Sequence, residues 1–174
     1  MKTLKTICLL LAMLAVCACD NSKDQLIGKW ESDQLVEDGV TLKVTLTFLE
    51  NGTLSAFTTF DARDNSAGVE MGIKGSMKTS GTWTLEGKNV TYSFPENSVT
   101  MDITDIYSPD AEYNAMLQYY LQNEPSAVQQ VKNTMMEEMP DYIKEINGVH
   151  IIESISETTL LLQGEDGTET YHRK

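Results

Sequence analysis

A length of 174 residues is typical of one domain, and the formal net charge of −13 disfavours nucleic acid or an acidic lipid surface as a partner. The acidic residues are scattered, with no block longer than two, which is typical of a solvated surface rather than an acidic binding site. Composition and charge do not distinguish a small-molecule binding protein from an interaction module or an enzyme. The motifs along the sequence have to make that distinction.

Residues 1–18 have the pattern of a secretory signal. Lys2 and Lys5 form a short basic region, and the continuous apolar run ICLLLAMLAV follows at 7–16. This run is too short to cross a bilayer but suits the apolar middle of a signal peptide. No polar face interrupts it, which argues against an amphipathic targeting helix. We therefore interpret residues 1–18 as a signal peptide that is removed.

The cysteine pair that follows predicts a lipid anchor. Val16, Cys17, Ala18 and Cys19 resemble a bacterial lipoprotein lipobox, with an aliphatic residue three before the modified cysteine and a small residue one before it. A frame ending at Cys17 would place bulky Val16 where a small residue is required. Cys19 is therefore the predicted site of lipid attachment. Cleavage there removes Cys8 and Cys17, so the mature protein has no free thiol for a disulfide or zinc site.

The segment after the predicted anchor indicates a tether and a cellular location. Residues 19–25 are polar and show no periodicity, as expected for a tether between lipid and domain. Asp20 and Asp24 weakly resemble a surface-export signal of one phylum of Gram-negative gut bacteria. We expect an exported protein that is lipid-anchored in the Gram-negative cell envelope, at the periplasmic or surface face of the outer membrane. Its membrane contact would run through the N-terminal lipid.

Strands are predicted from alternating apolar and polar residues. Apolar residues occupy every second position from Leu42 to Phe48, which gives a strand one apolar face. Asn51-Gly52 then predicts a tight hairpin, because both residues tolerate positive φ, and residues 53–60 return as the partner strand.

The same pattern recurs through the rest of the domain, which we place at 26–174. Further strands are predicted around Trp83, at 90–94, at 99–103, at 149–156, at 158–163 and after Asp166-Gly167, ending near Tyr171. Short strands joined by tight turns predict a mostly β fold, an antiparallel meander that closes into a barrel of about eight to ten strands. No βαβ alternation is found, so a dinucleotide-binding crevice is not expected.

A two-helix insert is predicted late in the sequence, at 108–147. Ser108 has capping chemistry and is followed by a proline and an acid, the usual start of a helix. Apolar and aromatic residues within 113–121 recur at spacings of three and four, which lines one helix face. Pro125 is expected to start the second helix and Pro140 to break it.

Two short motifs resemble those of a known family. Gly28-Lys29-Trp30 resembles the G-x-W that opens lipocalins and related calycin barrels, and Gly81-Thr82-Trp83 is similar to the mid-sequence G-T-W of small secreted bacterial lipocalin-like lipoproteins. Those proteins also show the hairpin found here at 48–53 and the closing strand pair found at 151–167. The resemblance implies a lipocalin-like barrel over 26–172, with Trp30 packed across its closed end in a structural role.

Catalytic and metal-binding motifs are not found. His150 and His172 are the two histidines, and neither has a partner at ligand or triad spacing. The sequence has no nucleophile elbow, no zinc-protease helix motif and no phosphate-binding glycine loop. We interpret neighbouring carboxylates, such as Asp102 and Asp105, as solvated surface. The sequence therefore predicts no enzyme activity, no cofactor and no metal.

The insert is rich in methionine and tyrosine, which suits contact with an irregular apolar ligand. One hypothesis makes it a lid over the barrel mouth, and the other makes it a plug whose apolar stripes complete the core. Trp83 has two interpretations as well, a core-filling aromatic or a cavity wall. The candidate ligand contacts are Trp83, Tyr113, Met116, Tyr120, Met135 and Met139.

The function that these features predict is non-catalytic binding of a small apolar or amphipathic ligand by a lipid-anchored envelope protein. The alternative is a protein-interaction or accessory lipoprotein of an envelope complex, with a filled barrel and no ligand. An exposed apolar patch on the insert would favour the alternative.

Overall fold

The computed structural model describes residues 22–37, 39–65, 68–165 and 167–174, and these form ten strands and three helices. The strands are β1 Gly28–Ser32, β2 Leu35–Glu37, β3 Val40–Phe48, β4 Thr53–Asp64, β5 Met71–Glu86, β6 Asn89–Ser93, β7 Thr100–Tyr107, β8 Gly148–Ile155, β9 Thr159–Gln163 and β10 Thr168–Arg173. The helices are α1 Ser22–Leu26, α2 Ala111–Asn123 and α3 Ser126–Ile146.

Eight of these strands form a closed antiparallel barrel in the order β1, β10, β9, β8, β6, β5, β4, β3. β1 closes the ring because Trp30 lies opposite Arg173 of β10 on one side and opposite Leu46 of β3 on the other. β2 and β7 pair with β3 and β5 without entering the ring. The predicted fold, a mostly β lipocalin-like barrel with a late two-helix insert, is confirmed.

The first long hairpin follows the predicted pattern. Leu46 and Phe48 are buried inside the barrel, while Lys43 on the opposite face of β3 is exposed. At the turn, Gly52 has a φ of +81° and the Asn51 amide oxygen accepts a hydrogen bond from the backbone N–H of Thr53. The apolar alternation and the Asn-Gly turn together fix the register of β3 against β4.

β5 is longer than the sequence predicted, since it begins well before the G-T-W motif. Its first half pairs with β7 and its second half with β6. Two glycines interrupt the apolar alternation in the first half. A Cβ atom at Gly72 would overlap the Tyr107 ring, and one at Gly75 would lie 2.5 Å from the Phe60 ring. The two aromatic rings take the space that side chains on β5 would occupy.

One end of the barrel is closed by Trp30, which is fully buried and donates from Nε1 to the carbonyl of Leu26 at 2.7 Å. The Arg173 guanidinium lies over the Trp30 ring, 4.2 Å from its centroid. It donates to the carbonyls of Ile27, at 2.9 Å, and Gln25. These contacts join the last strand to α1 and give Trp30 the structural position that the family resemblance implies.

Close contacts explain why each of the two motifs contains a glycine. Gly28 has a φ of +134°, and a Cβ atom there would lie 2.6 Å from Arg173 Nη1. A Cβ atom at Gly81 would overlap the carbonyl oxygen of Ser93 and lie 2.8 Å from Cα of Phe94. Only glycine lets β5 approach the backbone at the end of β6 this closely.

Two details of the insert correct the sequence prediction. The cap of α2 is Asp110, whose carboxylate accepts from the N–H of Tyr113 at 2.8 Å, rather than Ser108. Ser108 instead donates to the carbonyl of Glu70. Pro140 does not end the second helix, because α3 continues to Ile146. The turn after Pro140 carries Ile143, which is fully buried, and its burial offsets the backbone hydrogen bond that proline cannot make.

The N-terminal boundary also differs from the expectation. α1 takes in residues 22–25, which the polar composition had assigned to a tether at 19–25. The bond from Arg173 to the Gln25 carbonyl holds this helix against the barrel end. The signal peptide, the lipobox and residues 19–21 lie outside the described residues.

Candidate functional site

A partly open cavity of about 700 Å³ lies in the half of the barrel away from Trp30. Aromatic rings such as those of Phe48 and Trp83 fill the closed half, where they meet edge to face at 5.4 Å. The cavity falls within the size range of small-molecule sites. The barrel is therefore not packed solid.

Most of the cavity wall is apolar and comes from the inward positions of the strands. Leu42, Val44 and Leu46 line it from β3, Ala56 lines it from β4, and Leu162 lines it from β9. Each of these residues occupies an every-second position of its strand, so the same alternation that closes the barrel builds the wall. Such a surface favours a hydrocarbon guest over water.

The C-terminal end of α3 packs against the core and forms one side of the cavity. Tyr142, Ile143 and Ile146 line it, and Ile143 also belongs to the buried core. Asn147 fixes this end, because its amide group accepts from the N–H of Phe94 at 2.6 Å and donates to the carbonyl of Phe94 at 2.9 Å. This one turn of α3 therefore completes the core and also borders the cavity.

Several polar residues interrupt the apolar wall, and we call four of them the tyrosine–glutamate cluster. It consists of Tyr92, Tyr142, Tyr171 and Glu169, all of which line the cavity. Tyr171 donates a short hydrogen bond to Glu169 Oε2. The hydroxyl of Tyr92 is buried and has no hydrogen-bond partner among the residues that the structure describes.

Burial and the Glu169 charge act together on the phenols of this cluster. Burial is the larger cause and raises the pKa of Tyr92 and Tyr171 well above the ordinary value, and that of Tyr142 above it. The negative charge of Glu169 raises the pKa of all three further, because it opposes a second negative charge nearby. The three phenols are therefore held in the neutral, proton-donating form.

His150 borders the same region. Its ring stacks on Tyr92 with 4.2 Å between centroids, and its Nε2 lies 3.2 Å from the carbonyl of Ile146. A carbonyl only accepts, so Nε2 carries the proton in this contact. In the neutral ring the other nitrogen, Nδ1, is then an acceptor.

The structure places the six predicted ligand contacts elsewhere. None of them is among the described residues that line the cavity. Trp83 is buried near the closed end, where Nε1 donates to the carbonyl of Leu49 at 3.1 Å, so its position is that of a core aromatic. On α2, Met116 and Tyr120 are 59% and 54% exposed and Tyr113 is partly buried. On α3, Met139 packs against the core and Met135 is partly buried.

The residues that do form the site were missed because the methionine and tyrosine content of the insert pointed there instead. A signal for some of them was present. Tyr92 stands between Val90 and Phe94 on an alternating strand, and Glu169 and Tyr171 share one face of the last strand. Polar groups at inward positions mark a place where an apolar barrel wall is interrupted. Tyr142 follows the proline that was expected to end its helix.

The described residues carry no sign of a metal centre or a membrane-spanning helix. Among them, no group of three or more His, Cys, Asp or Glu side chains is placed to hold a metal ion. None of the helices that the structure describes is both long enough and apolar enough to cross a bilayer.

Comparisons with known proteins give similarity in structure only. No family model and no curated protein matches this sequence. Among solved structures, this protein is similar to an uncharacterized protein from Bacteroides eggerthii, with a TM-score of 0.41 and 15% identity over 86% of this sequence and 99% of that one. It is also similar to a lipocalin-like protein from Bacteroides uniformis, with a TM-score of 0.36 and 17% identity over 86% and 98%. The closure of this barrel itself is what assigns the fold.

Proposed function

We propose that this protein is a non-catalytic binding protein that holds a small apolar or amphipathic molecule inside its barrel, at the cell envelope. The observation that carries the proposal is the cavity of about 700 Å³, whose wall is mostly apolar. Eight-stranded barrels of this size have room for one small ligand. A barrel that served only as a scaffold would gain stability by filling that volume with side chains.

The apolar wall of the cavity sets a rough limit on the affinity for a hydrocarbon tail. Each buried methylene contributes about 0.8 kcal/mol, so a ten-carbon tail would gain about 8 kcal/mol before the costs of association. Those costs are about 4 kcal/mol or more, which leaves at most about 4 kcal/mol and a dissociation constant of about 1 mM or weaker from the tail alone. An affinity in this range suits reversible carriage or sensing of an abundant amphiphile rather than permanent sequestration.

The location at the cell envelope is the part of the proposal that depends on the sequence alone. A lipid on Cys19 would anchor the protein, and the short segment between Cys19 and α1 would keep the barrel close to the membrane surface. A binding protein in that position could exchange apolar molecules with the membrane.

The cavity can be tested with a pair of adjacent substitutions on β4. Thr58 is buried and lines the cavity, whereas Thr59 is exposed on the outer face and does not line it. Thr58→Phe would place a ring in the cavity, and Thr59→Phe makes the same chemical change outside it. The probe is N-phenyl-1-naphthylamine, an uncharged molecule whose fluorescence rises in apolar surroundings.

The proposal expects saturable probe binding to the unaltered protein and to the outer-face control, Thr59→Phe. It expects at least about tenfold weaker binding to Thr58→Phe, because the ring occupies the binding volume. Urea unfolding of both variants checks that each is folded. Equal binding to all three proteins would place the probe outside the barrel and refute the proposal.

A second function is favoured by one observation on α2. Met116, Tyr119 and Tyr120 fall at i, i+3 and i+4 on one helix face, and they are 59%, 71% and 54% exposed. Such a face suits contact with a protein partner of an envelope complex. The accessory role predicted from the sequence also required a filled barrel, and the cavity argues against that part of the prediction.

Crosslinking in intact cells would test this second function. A variant with Met116, Tyr119 and Tyr120 all replaced by Lys should lose a stoichiometric crosslinked partner, while Thr58→Phe should keep it. If the triple variant retains the partner, the α2 face is not its contact surface.

A further inference from the structure

We propose that the cavity selects amphiphiles whose head group donates hydrogen bonds and carries no negative charge, such as alcohols and amines, and rejects carboxylates. This inference rests on the proposed function, since it assigns the ligand class of the same cavity. It is carried by the arrangement of acceptors and charges at the tyrosine–glutamate cluster. The apolar tail of the ligand would lie against the apolar residues of β3 and β9.

The phenols of the cluster are donors, but its one charged group, the Glu169 carboxylate, is an acceptor and opposes a second negative charge nearby. Among the described residues, Tyr171 is the one hydrogen-bond donor to the Glu169 carboxylate, and it bonds Oε2. Glu169 is only partly buried, so its other oxygen can meet a head group. Nδ1 of a neutral His150 is an acceptor as well, because Nε2 donates to a backbone carbonyl. A hydroxyl or ammonium head satisfies acceptors of this kind, whereas a carboxylate cannot.

A carboxylate ligand would also lack a cationic partner. Among the described residues that line the cavity, Lys78 is the one lysine or arginine. Its neighbours Met77 and Thr79 also line the cavity, and its ammonium group lies over Phe57, 5.6 Å from the ring centroid. Because Phe57 is exposed on the outer face, the Lys78 charge is outside the barrel. Arg173 is engaged at the closed end.

The unpaired hydroxyl of Tyr92 supports the same inference. Buried polar groups are nearly always hydrogen-bonded, and an exception at a cavity wall indicates a partner that the ligand-free protein lacks. The hydroxyl is out of reach of water in this state, so a small shift of the ring or of Glu169 would accompany binding. A head group that donates a hydrogen bond to Glu169 would displace the Tyr171 hydroxyl from this carboxylate. The Tyr171 hydroxyl, which lies in the same cluster, could then pair with the Tyr92 hydroxyl.

Three ligands with the same ten-carbon tail test the selection. Decanol, decylamine and decanoate differ only in the head group, and at about pH 8 the amine is cationic and the acid is anionic. Each is titrated against bound N-phenyl-1-naphthylamine, with the unaltered protein, Glu169→Gln and the control Glu157→Gln. Glu157 is exposed and does not line the cavity, so its variant makes the same change in net charge elsewhere.

The inference expects decanol and decylamine to displace the probe at concentrations at least about tenfold lower than decanoate. Glu169→Gln should reduce this difference at least about threefold, since Glu145 and Glu165 also line the cavity and stay in place, and Glu157→Gln should leave the ratio unchanged. The head-group selection is overturned if decanoate displaces the probe as well as decanol does. It is also overturned if Glu169→Gln leaves the ratio of decanoate to decanol concentrations unchanged. Either result leaves the proposed binding function standing. If the probe does not bind at all, the proposed function itself fails.

Discussion

Replacing Tyr92 with Phe is expected to stabilise the ligand-free protein, although it removes a polar group from the core. The Tyr92 hydroxyl is buried without a hydrogen-bond partner among the described residues. Such a group costs about 1–3 kcal/mol of desolvation that nothing offsets. The ring itself would keep its contacts with Phe48 and His150, whose centroids lie 5.9 Å and 4.2 Å away.

The expected gain is about 1 kcal/mol in the free energy of unfolding, because removing one oxygen also leaves a small void. For a domain of this size that corresponds to a rise in Tm of about 2–4 °C. Tyr171→Phe is the matched control. It deletes the same atom type in the same cluster, but it removes the donor to Glu169. It should therefore cost about 1.5–3 kcal/mol, the value of a hydrogen bond to a charged group.

Urea unfolding followed by circular dichroism measures both variants on one scale. The two substitutions should change the unfolding midpoint in opposite directions. If Tyr92→Phe lowers stability as much as Tyr171→Phe does, the Tyr92 hydroxyl is hydrogen-bonded in the folded protein and it indicates no missing partner.

The fold, the cluster and the leader can each be tested separately. Gly81→Ala should lower the free energy of unfolding by about 3 kcal/mol in the same urea assay, since its Cβ atom would overlap the Ser93 carbonyl oxygen. The control is Gly87→Ala, at a φ of +63° with open space around it, which should lower it by about 1 kcal/mol. The raised pKa values of the cluster phenols mean that the folded state holds their protons more tightly than the unfolded state, so stability should be full below about pH 10 and fall above it. An ultraviolet titration should accordingly show these phenols ionising together with the loss of circular dichroism, and ionisation before unfolding would contradict their burial. Cys19→Ser should release the protein from membranes in cell fractionation while Cys17→Ser should leave it attached, and the reverse result would move the anchor to the other cysteine.

Much of the barrel could be predicted because its signals are local. The apolar alternation from Leu42 to Phe48 and the Asn51-Gly52 turn each fit within a few residues and determine a hairpin without help from distant residues. The first half of β5 was missed for the opposite reason. Its inward position at Gly75 is filled by the Phe60 ring from the neighbouring strand, which no local pattern reveals.

The site could not be predicted in the same way. Periodicity shows that α2 has an apolar face, but it does not show which surface that face covers, and Met116 is left largely exposed. The cavity is formed instead by the last turn of α3 and by inward positions on strands far apart in sequence. Tyr92 and Glu169 become neighbours only when β6, β8, β9 and β10 close the ring. Helix continuity through Pro140 was also a tertiary effect, because the buried Ile143 beyond it decides the outcome.

The most direct test of binding inside the barrel is a methyl NMR titration of the protein with deuterated decanol. We expect saturable shifts for the methyl groups of Leu42, Val44 and Leu162, which line the cavity, with little change at Leu117 on α2. Shifts confined to α2, or no saturable shift at any methyl group, would contradict a guest inside the barrel.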